Sequence, residues 1–351
     1  MVAASLACGR LLYIHQPLCI NRKKSCAVMR GLVRRIHVLL KVKDVDGRAI
    51  PGSSPGTAMT IEARKMKPAP FRYHAPTTIE EAVDTLAEVA PEDGRILAGG
   101  QSLVPIMAFR LARPAHLVDI NGVKALSRLA VEDGKLCIGA CVRHVAFEKP
   151  VVEGPLGRLL ADVVRHIAHY PIRTRGTFCG SVAHADPASE WCLVVAALDG
   201  EMVARSTAGT RIIPARDFFR GIMSTALKED ELLIEVRLPI VPEDTRCGFY
   251  EFNRRAGDFA LAMALATFRM RDGAMIEPRL ALGSVEDKPR RIAQAEELLA
   301  GRPPERAVFE AAAAAVEAAV DPLDDLIVGA EYRRDLSRTI ARRALERATS
   351  S

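Results

Sequence analysis

No stretch of this 351-residue sequence reaches the roughly 18 unbroken apolar residues that a membrane span requires, because even its richest runs are interrupted by Arg, Asp or Pro. A spanning helix is excluded, and a soluble protein is expected. The cysteines (Cys8, Cys19, Cys26, Cys137, Cys141, Cys179, Cys192 and Cys247) contain no CxxC spacing. They offer neither a thiolate clamp for an iron–sulfur cluster nor a dense disulfide framework, so a reducing, cytoplasmic setting is expected. Cys137 and Cys141 fall at the end of a strand-like run and read as apolar packing. Histidines are equally scattered: His166 and His169 share a helix face at i, i+3, but no carboxylate or third ligand is expected nearby, so no metal site is expected.

A basic face is also missing. The formal net charge is +6, but residues 1–65 carry 12 Lys/Arg against 3 Asp/Glu, and the rest of the chain is close to neutral. Binding to nucleic-acid phosphates needs a concentrated basic surface rather than a basic tail, so a nucleic-acid partner is not expected. Nor is there a Ser/His/Asp or paired-carboxylate arrangement that would suggest hydrolysis.

What is present is a composition that is 49% apolar, enough for a full core and two or three domains at this length. Residues 1–65, acid-free before Asp44 and ending in Pro51-Gly52-Ser53-Ser54-Pro55-Gly56, read as an appendage. Their composition suits a transit peptide, but a mis-called start, with the true one near Met66, accounts for them more simply.

From Met66 onward, helical and strand periods alternate. Thr77 with Glu80, and Thr78 with Glu81, form overlapping capping boxes ahead of Ile79, Ala82, Val83, Leu86 and Val89 at helical spacing. Strands are expected over Arg95–Ala98 and His116–Ile120, with a Gly99-Gly100 turn and a helix over Leu103–Leu111 between them, a compact βαβ unit. Residues 121–147 favour strands, with a turn at Asp133-Gly134. Helices are expected over Leu156–His169 and, fully buried, over Trp191–Leu198. Met202–Arg205, Arg211–Ile213 and Leu232–Leu238 read as strands. A shift near Thr245 opens a last region with strands over Phe249–Arg254, Leu261–Met270 and Arg279–Gly283, and alanine-rich helices over Arg291–Leu299, Glu305–Val320 and Tyr332–Ala348.

Two segments carry candidate chemistry. Ala98-Gly99-Gly100-Gln101-Ser102-Leu103 reads as strand, Gly-Gly turn and helix start, which lets backbone approach an anion and leaves N–H groups pointing outward. A plain tight turn uses the same residues. The second segment, Arg173 to Pro187, packs small, hydroxylated and charged residues around Thr177-Phe178-Cys179-Gly180-Ser181, as a loop built round a ligand would. One helix terminus contributes only about 0.3–1 kcal/mol towards a bound negative charge, whereas nanomolar binding needs about 12 kcal/mol. Two segments sharing one pyrophosphate, with apolar residues enclosing the rings, come closer to that requirement.

With these motifs the sequence resembles the FAD-binding medium subunits of molybdenum hydroxylases of the carbon monoxide dehydrogenase and xanthine dehydrogenase type. The matches run in order through Phe-Arg-Tyr-His-Ala-Pro at 71–76, Ala-Gly-Gly-Gln-Ser-Leu at 98–103, Ala-His-Ala-Asp-Pro-Ala-Ser-Glu at 183–190 and Asp217-Phe218-Phe219. They continue with Thr225-Ala226-Leu227, Glu231-Leu232-Leu233, Arg254-Arg255-Ala256-Gly257-Asp258-Phe259-Ala260 and Glu331-Tyr332-Arg333-Arg334.

The resemblance implies an α+β fold: a two-lobed FAD-binding domain of the PCMH type over residues 66–244 (lobes about 66–121 and 122–244), followed by an α+β domain of antiparallel sheet and helices over 245–351. It implies one non-covalent FAD, with Ala98 to Leu103 and Thr177, Cys179, Gly180 and Ser181 around the pyrophosphate. Asp186 would hold ribityl or adenosine hydroxyls, and Asp258 and Phe259 would approach the flavin ring, although Phe259 could equally be core packing. It further implies a small partner carrying two [2Fe–2S] clusters, a large partner carrying molybdopterin, a dimer of heterotrimers and an external electron acceptor. Cys179 departs from the family's pattern, where glycine is usual. A left-handed backbone there would cost a side chain roughly 1–2 kcal/mol. The alternative reading, a non-catalytic assembly subunit with a degenerate flavin site, rests on that residue.

Overall fold

The computed structural model describes residues 67–350; the basic segment 1–65, and with it the expected start near Met66, lies outside the described residues. The first lobe consists of β1 (Arg72–His74), α1 (Ile79–Val89), β2 (Gly94–Leu97), α2 (Leu103–Ala108) and β3 (His116–Asp119). Its strands form a parallel sheet in the order β1-β3-β2. Of the two overlapping boxes, Thr78 with Glu81 is the one that closes: Glu81 N–H donates to Thr78 Oγ1 and Glu81 Oε2 accepts from Thr78 N. The same carboxylate also takes the Thr77 N–H and hydroxyl. Helix α1 buries Ala82, Val83, Leu86 and Val89, the stripe its periodicity marks. Helix α2 is shorter than its apolar run, because the chain turns out of it through Arg110 at φ 57°.

The second lobe comprises β4 (Leu129–Glu132), β5 (Lys135–Gly139), α3 (Gly154–Val163), α4 (Tyr170–Arg173), α5 (Phe178–His184) and α6 (Glu190–Ala197). It continues with β6 (Glu201–Ser206), β7 (Gly209–Pro214), α7 (Ala215–Phe218), β8 (Phe219–Gly221), β9 (Ser224–Thr225) and β10 (Leu232–Pro239). An antiparallel sheet in the order β4-β5-β10-β6-β7 forms its frame. Asp133 and Gly134 both take positive φ, the two-residue hairpin that matches strand twist. Helix α6 is buried on every side and holds the chain's single tryptophan, Trp191.

The expected helix over Leu156–His169 ends at Val163 instead. Tight turns follow through Ile167, Ala168 adopts φ 41°, and Pro171 opens α4, so the chain changes direction before His169.

The last region forms β11 (Arg246–Phe252), β12 (Ala262–Arg271), β13 (Ala274–Gly283), β14 (Arg290–Arg291), α8 (Ala293–Leu299), α9 (Arg306–Ala319) and α10 (Ala330–Ser350). Its sheet is antiparallel in the order β11-β12-β13-β14. Side chains alternate across it. Met263, Leu265 and Ala281 join the core that the first and second lobes share, while Ala262, Ala264, Ala266, Phe268, Leu280 and Leu282 join a separate core against the C-terminal helices. One sheet is thereby buried on both faces. The architecture is α+β, as expected.

Candidate functional site

Strand β2 delivers the chain to the Gly99-Gly100 turn, where Gly100 has φ 70°, a left-handed conformation that a side chain would strain. From Gly99 to Leu103 the backbone N–H groups donate to no acceptor among the described residues. A run of free donors is what an anion requires. Gln101 Nε2 braces the turn by donating to Gly99 O at 3.1 Å. Ser102 is exposed and makes no side-chain cap to α2.

The second segment is not the open loop its polarity suggests. Thr177 caps α5, accepting from Gly180 N at 3.0 Å, and the helix runs to His184. The cap converts a hydroxylated sequence into a helix start. Phe178, Cys179 and Val182 are buried in the core. Cys179 lies inside the helix and is absent from the residues at positive φ, so the cost of a left-handed side chain does not arise. Its thiol donates to Ile138 O at 3.2 Å, and burial pushes its pKa up, away from thiolate chemistry.

The two segments meet. A Cβ on Gly99 would lie 2.4 Å from Arg175 O and 2.6 Å from Gly176 Cα, and one on Gly180 would lie 2.6 Å from Thr177 Oγ1 and 3.7 Å from Ala98 Cβ. Glycine at 99 allows the approach, and glycine at 180 leaves room for the Thr177 cap. Beside the contact is a cleft of about 370 Å³ bordered by Ala98, Ala140, Gly180, Ala183, Met223 and Thr225.

Ser181 turns its hydroxyl to Ser189 at 2.9 Å. Asp186 Oδ1 accepts from Ala188 N at 2.9 Å, just ahead of α6, and burial pushes its carboxyl pKa up against the opposing pull of His184. Burial likewise raises Glu190 and Glu251, and the Glu190 charge adds to the rise at Glu251. Glu251 Oε2 has no hydrogen-bond partner, and His166 Nδ1 is 3.7 Å from it. Carboxylates do therefore stand near His166, Glu251 on β11 and Asp162 one turn earlier in α3, whereas His169 lies beyond the end of α3. His144 accepts the Trp191 indole N–H at 2.9 Å; burial, with Arg143 and Arg173 nearby, pushes its pKa down to about 4, so it is neutral at pH 7.

Of the site residues expected from sequence, Ala98, Cys179 and Gly180 line the cleft; Gly99 to Leu103, Thr177, Ser181, Asp186, Asp258 and Phe259 do not. The turn of Asp258 and Phe259 packs on the α3–α4 connection: a Cβ on the adjoining Gly257 would meet His169 Cε1 at 2.4 Å. Phe259 is 44% exposed, so core packing does not explain it.

Sequence reasoning missed Tyr73, Asp119, Asn121 and Arg143, which surround the meeting point of the two segments. Tyr73 OH donates to Asp119 Oδ2 at 2.5 Å, Asn121 Nδ2 donates to Ala98 O at 2.7 Å, and Arg143 reaches both Asn121 Oδ1 and Arg175 O. Asn121-Gly122 after a strand was a weak local signal; a lone Arg143 after an apolar run gave none.

Comparison with known families matches residues 69–241 to the FAD binding domain in molybdopterin dehydrogenase and residues 248–348 to the CO dehydrogenase flavoprotein C-terminal domain. The chain belongs to the FAD-binding medium subunits of the molybdenum hydroxylases. It is 39% identical to the nicotine 6-hydroxylase medium subunit of Paenarthrobacter nicotinovorans, over 80% of this chain and 98% of that one. It is 33% identical to the carbon monoxide dehydrogenase medium chain of Hydrogenophaga pseudoflava, over 81% and 98%. Among solved structures, carbon monoxide dehydrogenase from H. pseudoflava superposes with a TM-score of 0.77 at 34% identity, covering 81% of this chain and 98% of that one. Quinoline 2-oxidoreductase from Pseudomonas putida 86 superposes with a TM-score of 0.76 at 35% identity, with the same coverage. Membership makes this an oxidoreductase flavoprotein subunit with an FAD-binding domain. Among the described residues no helix is long and apolar enough to cross a membrane, and no cluster of three or more His, Cys, Asp or Glu is placed to hold a metal.

Proposed function

We propose that this chain holds one FAD without a covalent link and is the electron-exit subunit of a molybdenum hydroxylase. The observation that carries the reading is the run of free backbone N–H groups from Gly99 to Leu103, next to Ala98, which borders a cleft that Cys179, Gly180 and Ala183 of the second segment also line. Backbone from Ala98 to Leu103 would bind the pyrophosphate, with Thr177, Cys179, Gly180 and Ser181 completing the cradle. Cys179 would contribute backbone only, since its thiol points into the core. Asp186, with one carboxylate oxygen engaged by Ala188 N, would offer the other to ribityl or adenosine hydroxyls. For Asp258 and Phe259 an approach to the flavin ring rests on the family resemblance alone.

When bound, FAD supplies the redox chemistry, passing electrons from [2Fe–2S] clusters of a small partner to an external acceptor. The chain's residues bind, orient and enclose it. A large molybdopterin-binding partner and a small iron–sulfur partner complete the reading, and the medium-chain names of its relatives support a larger and a smaller partner; the dimer of heterotrimers and the cytoplasmic setting rest on the family resemblance and the cysteine pattern.

The test is to purify the chain with its partner subunits and assay acid-releasable FAD together with a flavin absorption band. Near-stoichiometric FAD is expected; a folded complex without flavin would overturn the reading and favour the assembly-subunit alternative.

A further inference from the structure

We propose that Arg143 and Asn121 are positioning residues, a clasp that fixes the spacing between the two glycine-bearing segments so that both can hold one diphosphate. The proposal rests on the FAD reading above and concerns side chains outside either segment.

Asn121 lies two residues past the end of β3, and its amide is fixed from several directions. Its backbone N–H and its Nδ2 both donate to Asp119 Oδ1, at 2.9 and 2.5 Å, while Tyr73 OH donates to the other Asp119 oxygen at 2.5 Å. Nδ2 also donates to Ala98 O at 2.7 Å, which ties Asn121 to the first segment. With both amide hydrogens used, Oδ1 accepts from Arg143 Nη2 at 2.5 Å.

Arg143 belongs to the other lobe. Its backbone pairs with Thr177 in an isolated antiparallel bridge, closed on either side by His144 N to Gly176 O and Phe178 N to Val142 O, each at 3.0 Å. Arg143 Nη1 donates to Arg175 O. That carbonyl is the atom a Cβ on Gly99 would meet first. The carbonyls of Ala98 and Arg175, one on each side of the contact, are thus joined through two side chains. A guanidinium suits this task because its planar fork holds two acceptors at a set separation, which an ammonium does not. Both of its acceptors here are uncharged oxygens, so an effect of its charge alone is the competing account that an experiment must separate.

The experiment uses the full-length chain, stripped of flavin and retitrated with FAD, ADP and riboflavin, for wild type, N121A, R143Q, R143K and N121A/R143Q. Circular dichroism and thermal melting monitor folding, and N121S replaces N121A should the latter not fold. Each single variant is expected to lose roughly tenfold in affinity for FAD and ADP, the scale of one hydrogen bond to a charged group. Riboflavin, which has no phosphates, should bind as to wild type. The double variant should be no weaker than either single one, because removing one half of a clasp already removes its effect. Unchanged FAD affinity in folded N121A or R143Q would overturn the proposal. So would multiplicative losses in the double variant, full affinity in R143K, or an equal loss for riboflavin. A wild-type chain that binds no FAD would instead overturn the underlying reading.

Discussion

At Gly99 one methyl group decides whether the two segments can meet. A Cβ there would press on the Arg175 carbonyl and the Gly176 Cα, both backbone atoms that cannot swing aside as a side chain could. Gly99→Ala should cost about 1–3 kcal/mol in stability, as overpacking does. It should weaken FAD binding by more than the clasp variants, measured by flavin titration; retention of wild-type affinity would show that the contact can open without consequence. Cys179 is the opposite case. Glycine, the usual family residue, would here remove a buried side chain from inside α5 and leave the Ile138 carbonyl without its thiol donor. Cys179→Gly should destabilise by about 1–3 kcal/mol through helix propensity and the lost packing. Flavin content should not rise. An increase in FAD affinity would revive the idea that the cysteine impairs the site.

Among elements, α1 shows how a short local signal becomes a fixed orientation. Thr78 and Glu81 satisfy each other's backbone donors, and the helix then presents Ala82, Val83, Leu86 and Val89 to the core beneath the sheet that carries the first segment. Thr78→Ala should lower stability by about 1 kcal/mol, the usual value of an N-cap, in denaturant unfolding. A change below a few tenths would mean that the Thr77–Glu81 bonds suffice. The cap at Thr177 carries more consequence, because it sets where α5 begins and therefore where Gly180 stands relative to Ala98. The capping box of α1 was legible from sequence alone. The polar composition of residues 173–187 concealed the cap of α5, since the same hydroxyls serve a ligand loop and a helix start.

Across the whole molecule, the sheet from β11 to β14 joins the regions by burying both faces, so heating should give one cooperative transition rather than two. Glu251 lies in this seam, its Oε2 without a hydrogen-bond partner and its pKa raised by burial and by the Glu190 charge. A raised folded-state pKa means that the folded protein retains a proton which the unfolded chain releases. The associated stability is present below the unfolded glutamate value of 4.5 and is lost as pH rises through the folded value. Glu251→Gln should therefore melt increasingly above wild type as pH is raised from about 5 to about 9; parallel melting curves would remove Glu251 from the account.

Helix and strand periods, caps and turn residues act over a few neighbours, so sequence by itself determined the α+β class, most elements to within a few residues and both glycine-bearing segments. It also determined the ordered motifs by which the family resemblance was read. Ends were lost where distant packing overrode a continuing apolar pattern, as after Val163, where turns and Ala168 at φ 41° redirect the chain. Only the tertiary structure decided that Arg175 O touches Gly99, that Arg143 reaches Asn121, that Glu251 faces His166 and that Cys179 is turned into the core. These contacts join residues with no local signature, separated by tens of residues or held by different elements. Their existence depends on how whole elements are brought together by burial, which no window along the chain can register.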